Sequence, residues 1–272
     1  MTTISPLSFV HPDAKLGKGI EILPFSYVEA DVVIGDGCRI GPSANILSGT
    51  RLGVNCHIFP GAVLGALPQD LKFAGEYSTL TVGNHTVVRE SATVNRGTAV
   101  TGNTAIGARC LLMAYVHVAH DCILGNEVVL SNQVQLAGHV QIGDYATLGG
   151  NVLVQQFCRI GRFSFIGGAG LVRKHVPPFV RAAREPLSFL GINRIGLKRK
   201  GFSEEDLALI QEIYRLLYGR TLLRQEALLT IRESYPDSEL ATEILNFTES
   251  DPNLIGAPRM GQLKFLGEDT SA

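Results

Sequence analysis

Val10, Leu16, Ile22 and Val28 stand six residues apart, and the spacing continues through Ile34, Ile40, Ile46, Leu52, Ile58 and Leu64. It resumes at Val82 and runs without a miss to Val172, so that 26 of 28 positions in the series are Leu, Ile or Val. The two misses are Asp70 and Glu76. A period of six matches neither an amphipathic helix nor a simple alternating strand; it is the mark of a repeat architecture. Four residues after each aliphatic comes a small or β-branched residue such as Ala14, Ala44, Ala62, Ala92 or Ala146, and all five cysteines (Cys38, Cys56, Cys110, Cys122, Cys158) share that phase. A parallel β-helix accounts for both positions: each unit is a short strand and a turn, the aliphatic points inward, and the second inward position must be small. The cysteines are then core residues and not a redox or metal set.

The pattern breaks in two places. Between about Pro68 and Thr79, polar and aromatic residues replace the hexads, which predicts an external loop. A weaker break lies near Gly97 to Thr104, where Val100 keeps the period only by coincidence. After Val172 the series ends at KHVPPFV, and the two prolines mark a boundary. Ser203-Glu-Glu-Asp206 reads as a helix cap before apolar residues at helical spacing, Leu207, Ile210, Ile213, Leu216 and Leu217. Two further helices are expected, roughly 222–233 and 238–247. The expected organisation is a β prism over 1–176, with a loop at about 68–79, and a small helical domain over 177–272.

The hexads resemble the hexapeptide-repeat proteins. That resemblance implies a mainly β fold, a left-handed parallel β-helix with three six-residue faces per coil, so that residues 18 apart stack about 4.8 Å from one another. The stretch AYVHVAHDC, Ala114 to Cys122, then acquires a geometry. Val118, Val116 and Cys122 fall on inward phases, which leaves His117, His120 and Asp121 on outward or turn phases. Stacking sets His120 beside Gly138 and Asp121 beside His139. An imidazole base, a carboxylate to support it and an accessible glycine N–H form a kit for acyl transfer. A metal site built from His117, His120 and His139 is the rival reading.

Composition narrows the class. The net charge of −1, with 45% hydrophobic residues, points to no nucleic-acid partner, and no apolar run is long enough for a membrane span. The N-terminus has no signal-like segment, so the expected location is cytoplasmic. Charge is nevertheless local: eight basic residues lie between Arg173 and Lys200, where an anionic partner would dock.

PQDLKFAGE, HVAHDC, LAGHV, QFCRIG, HVPPFV and GLKRKGFS, in this order and across nearly the whole chain, resemble the UDP-N-acetylglucosamine O-acyltransferase family of lipid A biosynthesis. The resemblance implies transfer of an (R)-3-hydroxyacyl group from acyl carrier protein to the 3-hydroxyl of the glucosamine unit of UDP-GlcNAc, by a homotrimer, without cofactor or metal. Carried onto this sequence, His120 is the general base, Asp121 its partner and Gly138 the oxyanion donor. Asp70 and Lys72 are implied sugar contacts, His117 and His139 line the cleft, and Gln156 contacts the nucleotide. Asn193, Arg199 and Lys200 receive the nucleotide or its phosphates from a neighbouring subunit, and Gly168 leaves room for a long acyl chain. Gln155 stands where many members have histidine, Ile195 where some have a carboxylate, and AAREPLSFLG replaces a more polar stretch. A related N-acyltransferase of the same pathway carries a domain before its hexads, whereas here they begin by Val10.

Overall fold

The computed structural model describes residues 2–219 and 221–257. Each hexad of the prism gives a two- to four-residue strand, and strands of successive coils pair in parallel to form three sheets of eleven, nine and eight strands. Arg39 pairs with His57, Gln135 with Leu153 and Leu153 with Leu171, so neighbours on a face are 18 residues apart. The aliphatics of the six-residue series fill the interior: Val28, Ile46, Leu64, Leu112, Leu130 and Leu148 are fully buried. Removing each such side chain from water contributes roughly 1.5–3 kcal/mol. Ala44, Ala62, Ala92 and Ala146 occupy the tighter second inward position and are equally buried. The cysteines share it, and burial pushes the Cys122 thiol up to about 12, so it stays protonated.

Corners cost backbone strain. One residue in each sharp turn adopts a left-handed conformation, and many are not glycine: Phe25, Tyr115, Asp121, His139 and Phe157 all have φ near +60°. L-residues enter this region at a cost of about 1 kcal/mol or more. Here the stack holds them: most corner N–H groups donate to the corner one coil below, as His139 N does to His120 O at 3.1 Å, while Asp121 N donates to Thr104 Oγ1.

The two breaks in the pattern are excursions of the chain. His57 pairs with Val87, thirty residues on, and Thr93 pairs with His117, twenty-four on, so the coils carry insertions of twelve and six residues. Both lengths are multiples of six, which is why the aliphatic series keeps its phase across them. Val100, in the second insertion, is 74% exposed and has no inward role. Gly97 lets that loop close at its neck, where a Cβ would stand 2.4 Å from the Asn103 nitrogen.

The sheet does not stop at 176. Val180–Ala183 pairs with the prism as Phe165 with Arg181, and Ser188–Ile192 folds back antiparallel on it. Pro177 and Pro178 thus end the hexad spacing without ending the sheet, because the last coil closes on 16 residues and not 18. The β part therefore runs about sixteen residues past the expected boundary. Among the described residues four helices follow: α1 Arg194–Arg199, α2 Glu204–Tyr218, α3 Arg224–Ser234 and α4 Glu239–Ser250. The expected cap is present, with Ser203 and Asp206 bonding each other's backbone N–H. Tyr214 of α2 is fully buried and donates its hydroxyl to Pro178 O at 2.6 Å, fixing the helices to the end of the prism. A final segment returns to the prism, with His175 N donating to Asn253 O and Ile255 N to His175 O. The expected C-terminal domain extends to 272, of which 258–272 lie outside the described residues. Among the described residues, no helix is long and apolar enough to cross a membrane.

Candidate active site

One corner of the prism brings the histidine segment together with its stacked neighbours. The strand His117–Val118 ends at this corner, and His120 and Asp121 form its turn. Both point away from the hexad core, yet they are 4% and 2% exposed. The hexad phase places them outside the prism; the inserted loop 97–102, which leaves the coil directly below Asp121, then covers Asp121, and Gly138 lies against the His120 ring.

His120 Nδ1 lies 2.8 Å from Asp121 Oδ2. The other side-chain partners of that carboxylate are donors. Thr98 N–H bonds Oδ1 at 3.0 Å, Thr98 Oγ1 bonds Oδ2 at 2.7 Å, and the Thr101 hydroxyl also reaches Oδ1. Burial alone would raise the Asp121 pKa, but the hydrogen bonds from Thr101, Thr98 and His120 outweigh it and bring it down to about 2. An ionised carboxylate accepts only, so the proton between the pair sits on His120 Nδ1. Nε2 is left as the basic nitrogen, on a ring that borders a cleft of about 460 Å³.

Gly138 lies directly over the ring. A Cβ there would come within 2.6 Å of His120 Cε1 and 2.8 Å of Nε2, so the stacked position must be glycine for the imidazole to lie where it does. The Gly138 N–H makes no hydrogen bond within the described residues, which leaves a free donor beside the base. His117 also lines the cleft; its Nδ1 is 2.8 Å from Thr93 Oγ1, and its pKa is lowered by burial and by nearby His120. Gln155 and Gln156 border the same cleft.

Other expected residues take different places. His139 is not among the cleft-lining residues; its Nε2 lies 3.7 Å from Asp121 Oδ2 and its ring stacks on Phe157 at 4.7 Å. Asp70 accepts from the Lys72 N–H within their own loop, and it is Gln69 of that loop that reaches the cleft. Asn193 caps α1, accepting from Gly196 N–H and donating to Phe163 O. Lys200 pairs with Glu127 and lies over the Tyr145 ring, while Arg199 is exposed. Gly168 stands at the opposite edge of the face that carries His117. Leu153 and Leu171, stacked on Gln135, extend the cleft away from His120 as an apolar strip. The 18-residue stack would have found them, since they share an outward column with His117.

His120, Asp121 and His139 offer three ligand atoms within 4.8 Å of one another. A metal there would have to compete for a carboxylate that already accepts from Thr98, Thr101 and His120, and any bond to His120 Nδ1 would displace the proton held there. The donor set fits a supported base better than a metal centre.

The chain's relatives share this architecture. Residues 175–255 match the family model described as UDP N-acetylglucosamine O-acyltransferase, domain 2, and residues 13–48 and 103–138 match the bacterial transferase hexapeptide model. An acyl-[acyl-carrier-protein]–UDP-N-acetylglucosamine O-acyltransferase of Thiobacillus denitrificans is 45% identical over 230 residues, 84% of this chain and 89% of that protein. One from Burkholderia lata is 44% identical over 234 residues, 86% and 89% of the two chains. The crystal structure of a UDP-N-acetylglucosamine acyltransferase from Bacteroides fragilis superposes with a TM-score of 0.91 at 45% identity, covering 94% of this chain and all of that one. The prism is thus a left-handed parallel β-helix, as the resemblance to hexapeptide-repeat proteins implied. With the fold, both of its parts and nearly its full length shared at this identity, the chain belongs to the UDP-N-acetylglucosamine O-acyltransferase family.

Proposed function

We propose that the protein transfers an (R)-3-hydroxyacyl group from acyl carrier protein to the 3-hydroxyl of the glucosamine unit of UDP-GlcNAc, the first step of lipid A biosynthesis. One observation carries the mechanism: His120 is held through Nδ1 by an ionised Asp121, with Nε2 as its basic nitrogen beside the free Gly138 N–H. Nε2 takes the proton of the sugar hydroxyl as the oxygen attacks the thioester carbonyl. The Gly138 N–H stabilises the oxyanion of the tetrahedral intermediate. The intermediate collapses with loss of the carrier's thiolate, which takes the proton back from the imidazolium. Products are the 3-O-acyl sugar nucleotide and the free carrier thiol, and no cofactor enters the balance.

The relatives' names supply the two substrates, and the site suits them. The apolar strip of Leu153 and Leu171 fits an acyl chain, and Gly168, exposed beside Gly150, leaves the far edge of that face open to a long one. Gln156, Asp70 and Lys72 are the proposed nucleotide and sugar contacts. Gln155 takes the place of the family's histidine, and His139 steadies the carboxylate from behind. Asn193, Arg199 and Lys200 lie on the helical part, which we assign to residues after the prism, and would meet the nucleotide across a subunit boundary in a trimer. Its location is proposed to be the cytoplasm.

A transfer assay decides. UDP-GlcNAc and its 3-amino analogue are each offered with a ladder of hydroxyacyl carrier protein thioesters, with and without a chelator. The expected result is oxygen-selective transfer with a long-chain optimum, insensitive to chelation, and at least about 10²-fold slower in His120→Ala. No transfer by the wild type, or full activity in His120→Ala, would overturn the reading.

A further inference from the structure

The six-residue insertion 97–102 is the part of the prism that touches the catalytic pair from outside the hexads. It supplies three hydrogen bonds to one buried carboxylate: Thr98 N–H, Thr98 Oγ1 and Thr101 Oγ1, all to Asp121. The Asp121 side chain is itself fully buried, and its N–H donates to Thr104 Oγ1 at 2.8 Å, just past the loop. Thr98 Oγ1 in turn accepts from Val100 N–H at 3.2 Å, so a chain of donors runs through the loop into the carboxylate and strengthens along its length. The loop is anchored by its neighbour. Glu76 of the first insertion accepts from Ala99 N–H at 2.9 Å and from Ala74 N–H at 2.8 Å, clasping the two excursions together.

We propose that loop 97–102 is a positioning device for the base, with Thr98 and Thr101 as positioning residues that hold Asp121 in a single orientation and share its charge. Neither hydroxyl touches the cleft, so both act through Asp121 on His120. The proposal rests on His120 being the general base. Its physical content has two parts. The donors fix the oxygen to which His120 Nδ1–H is bonded, and with it the aim of Nε2 at the sugar hydroxyl. They also draw off part of the carboxylate's negative charge, so the anion stabilises the imidazolium less than a bare one would. Losing a donor therefore raises the basicity of the pair while loosening its geometry. The rate should fall, and the acid limb of the pH profile should move to higher pH, since His120 then holds its proton up to a higher pH and protonated imidazole cannot accept another.

The test uses Thr98→Val, which replaces the hydroxyl by a methyl, and Thr101→Ala, at an exposed position where the fold is least affected. Each is compared with its serine counterpart, Thr98→Ser and Thr101→Ser, in the transfer assay with UDP-GlcNAc and hydroxyacyl carrier protein. The expected result is kcat lower by about tenfold or more with KM within about twofold, and an acid limb of kcat/KM raised by about half a pH unit, both restored by serine. A fall in melting temperature with kcat and the acid limb unchanged would mean a merely structural loop and would overturn the proposal, as would wild-type kinetics in both variants. If the wild type itself transfers nothing, it is the proposed function that fails, and the two failures are distinguishable.

Discussion

A methyl group on Gly138 would push against the ring of His120, and nothing at that corner can give way. The imidazole is pinned by Asp121, Asp121 by Thr98 and Thr101, and the corner backbone by the coil below. Gly138→Ala should therefore tilt or displace the base without altering any hexad, and a misplacement of about 1 Å costs on the order of 10² in rate. The expected outcome is kcat down by about that factor with little change in unfolding midpoint; wild-type turnover would show that the ring has room the structure does not give it. Hexad phase and the 18-residue stack were enough to put Gly138 over His120 and His139 beside Asp121. They did not reveal how deeply Asp121 is buried, because what covers it is a loop that has no period. Nor did they reveal Thr98 and Thr101, whose only sequence mark is a short break in the pattern.

Elements here are strands of two to four residues, far too short to be stable singly, and their stability comes from stacking. Leu130 illustrates this. It is fully buried and its strand pairs with those of Leu112 below and Leu148 above, so one truncation opens a cavity between three coils. Leu130→Ala is expected to cost about 2–5 kcal/mol in denaturant-induced unfolding, while the same change at exposed Val100, which shares the six-residue phase, should cost close to nothing. Equal costs at the two sites would mean that the phase, and not the coil, decides burial. Position in the series was legible at every step, but the series cannot distinguish an inward residue from a coincidence. The breaks in the pattern mark where the chain leaves the prism, and pairing across 30 and 24 residues fixes the lengths of the two excursions.

At the scale of the whole molecule, the cleft lies along an outward face of the prism. His117, Gln135, Leu153 and Leu171 line an open face, and large apolar side chains stand exposed on or beside it: Leu153 at 45%, Tyr115 at 59% and Phe157 at 62%. A second copy of the chain would close that face and bring its own edge to the cleft, which is the physical case for a symmetric trimer. Sedimentation at assay concentration should give three times the mass of the chain, with transfer activity confined to that species. A fully active single chain would rule the arrangement out. In the proposed trimer a neighbour would also supply Asn193, Arg199 and Lys200, none of which lines the cleft of its own chain.

By itself the sequence determined the repeat, its inward residues and the small second inward position that holds the cysteines, and the family resemblance added the 18-residue stack that sets Gly138 beside His120 and His139 beside Asp121. The repeat and its inward residues follow from a six-residue period, because a period fixes direction without reference to anything distant. What the tertiary structure decided is everything that depends on chain leaving the period. The sheet runs past Pro177 and Pro178 to Ile192 because the last coil closes on fewer residues. Gln69, and not Asp70, meets the cleft because a loop's orientation is set by what it packs on. Asp121 is ionised and fixed because six inserted residues fold over it and direct three donors at its oxygens. Local spacing encodes a lattice, whereas the charge state of a buried group depends on whichever atoms the folded chain happens to place around it.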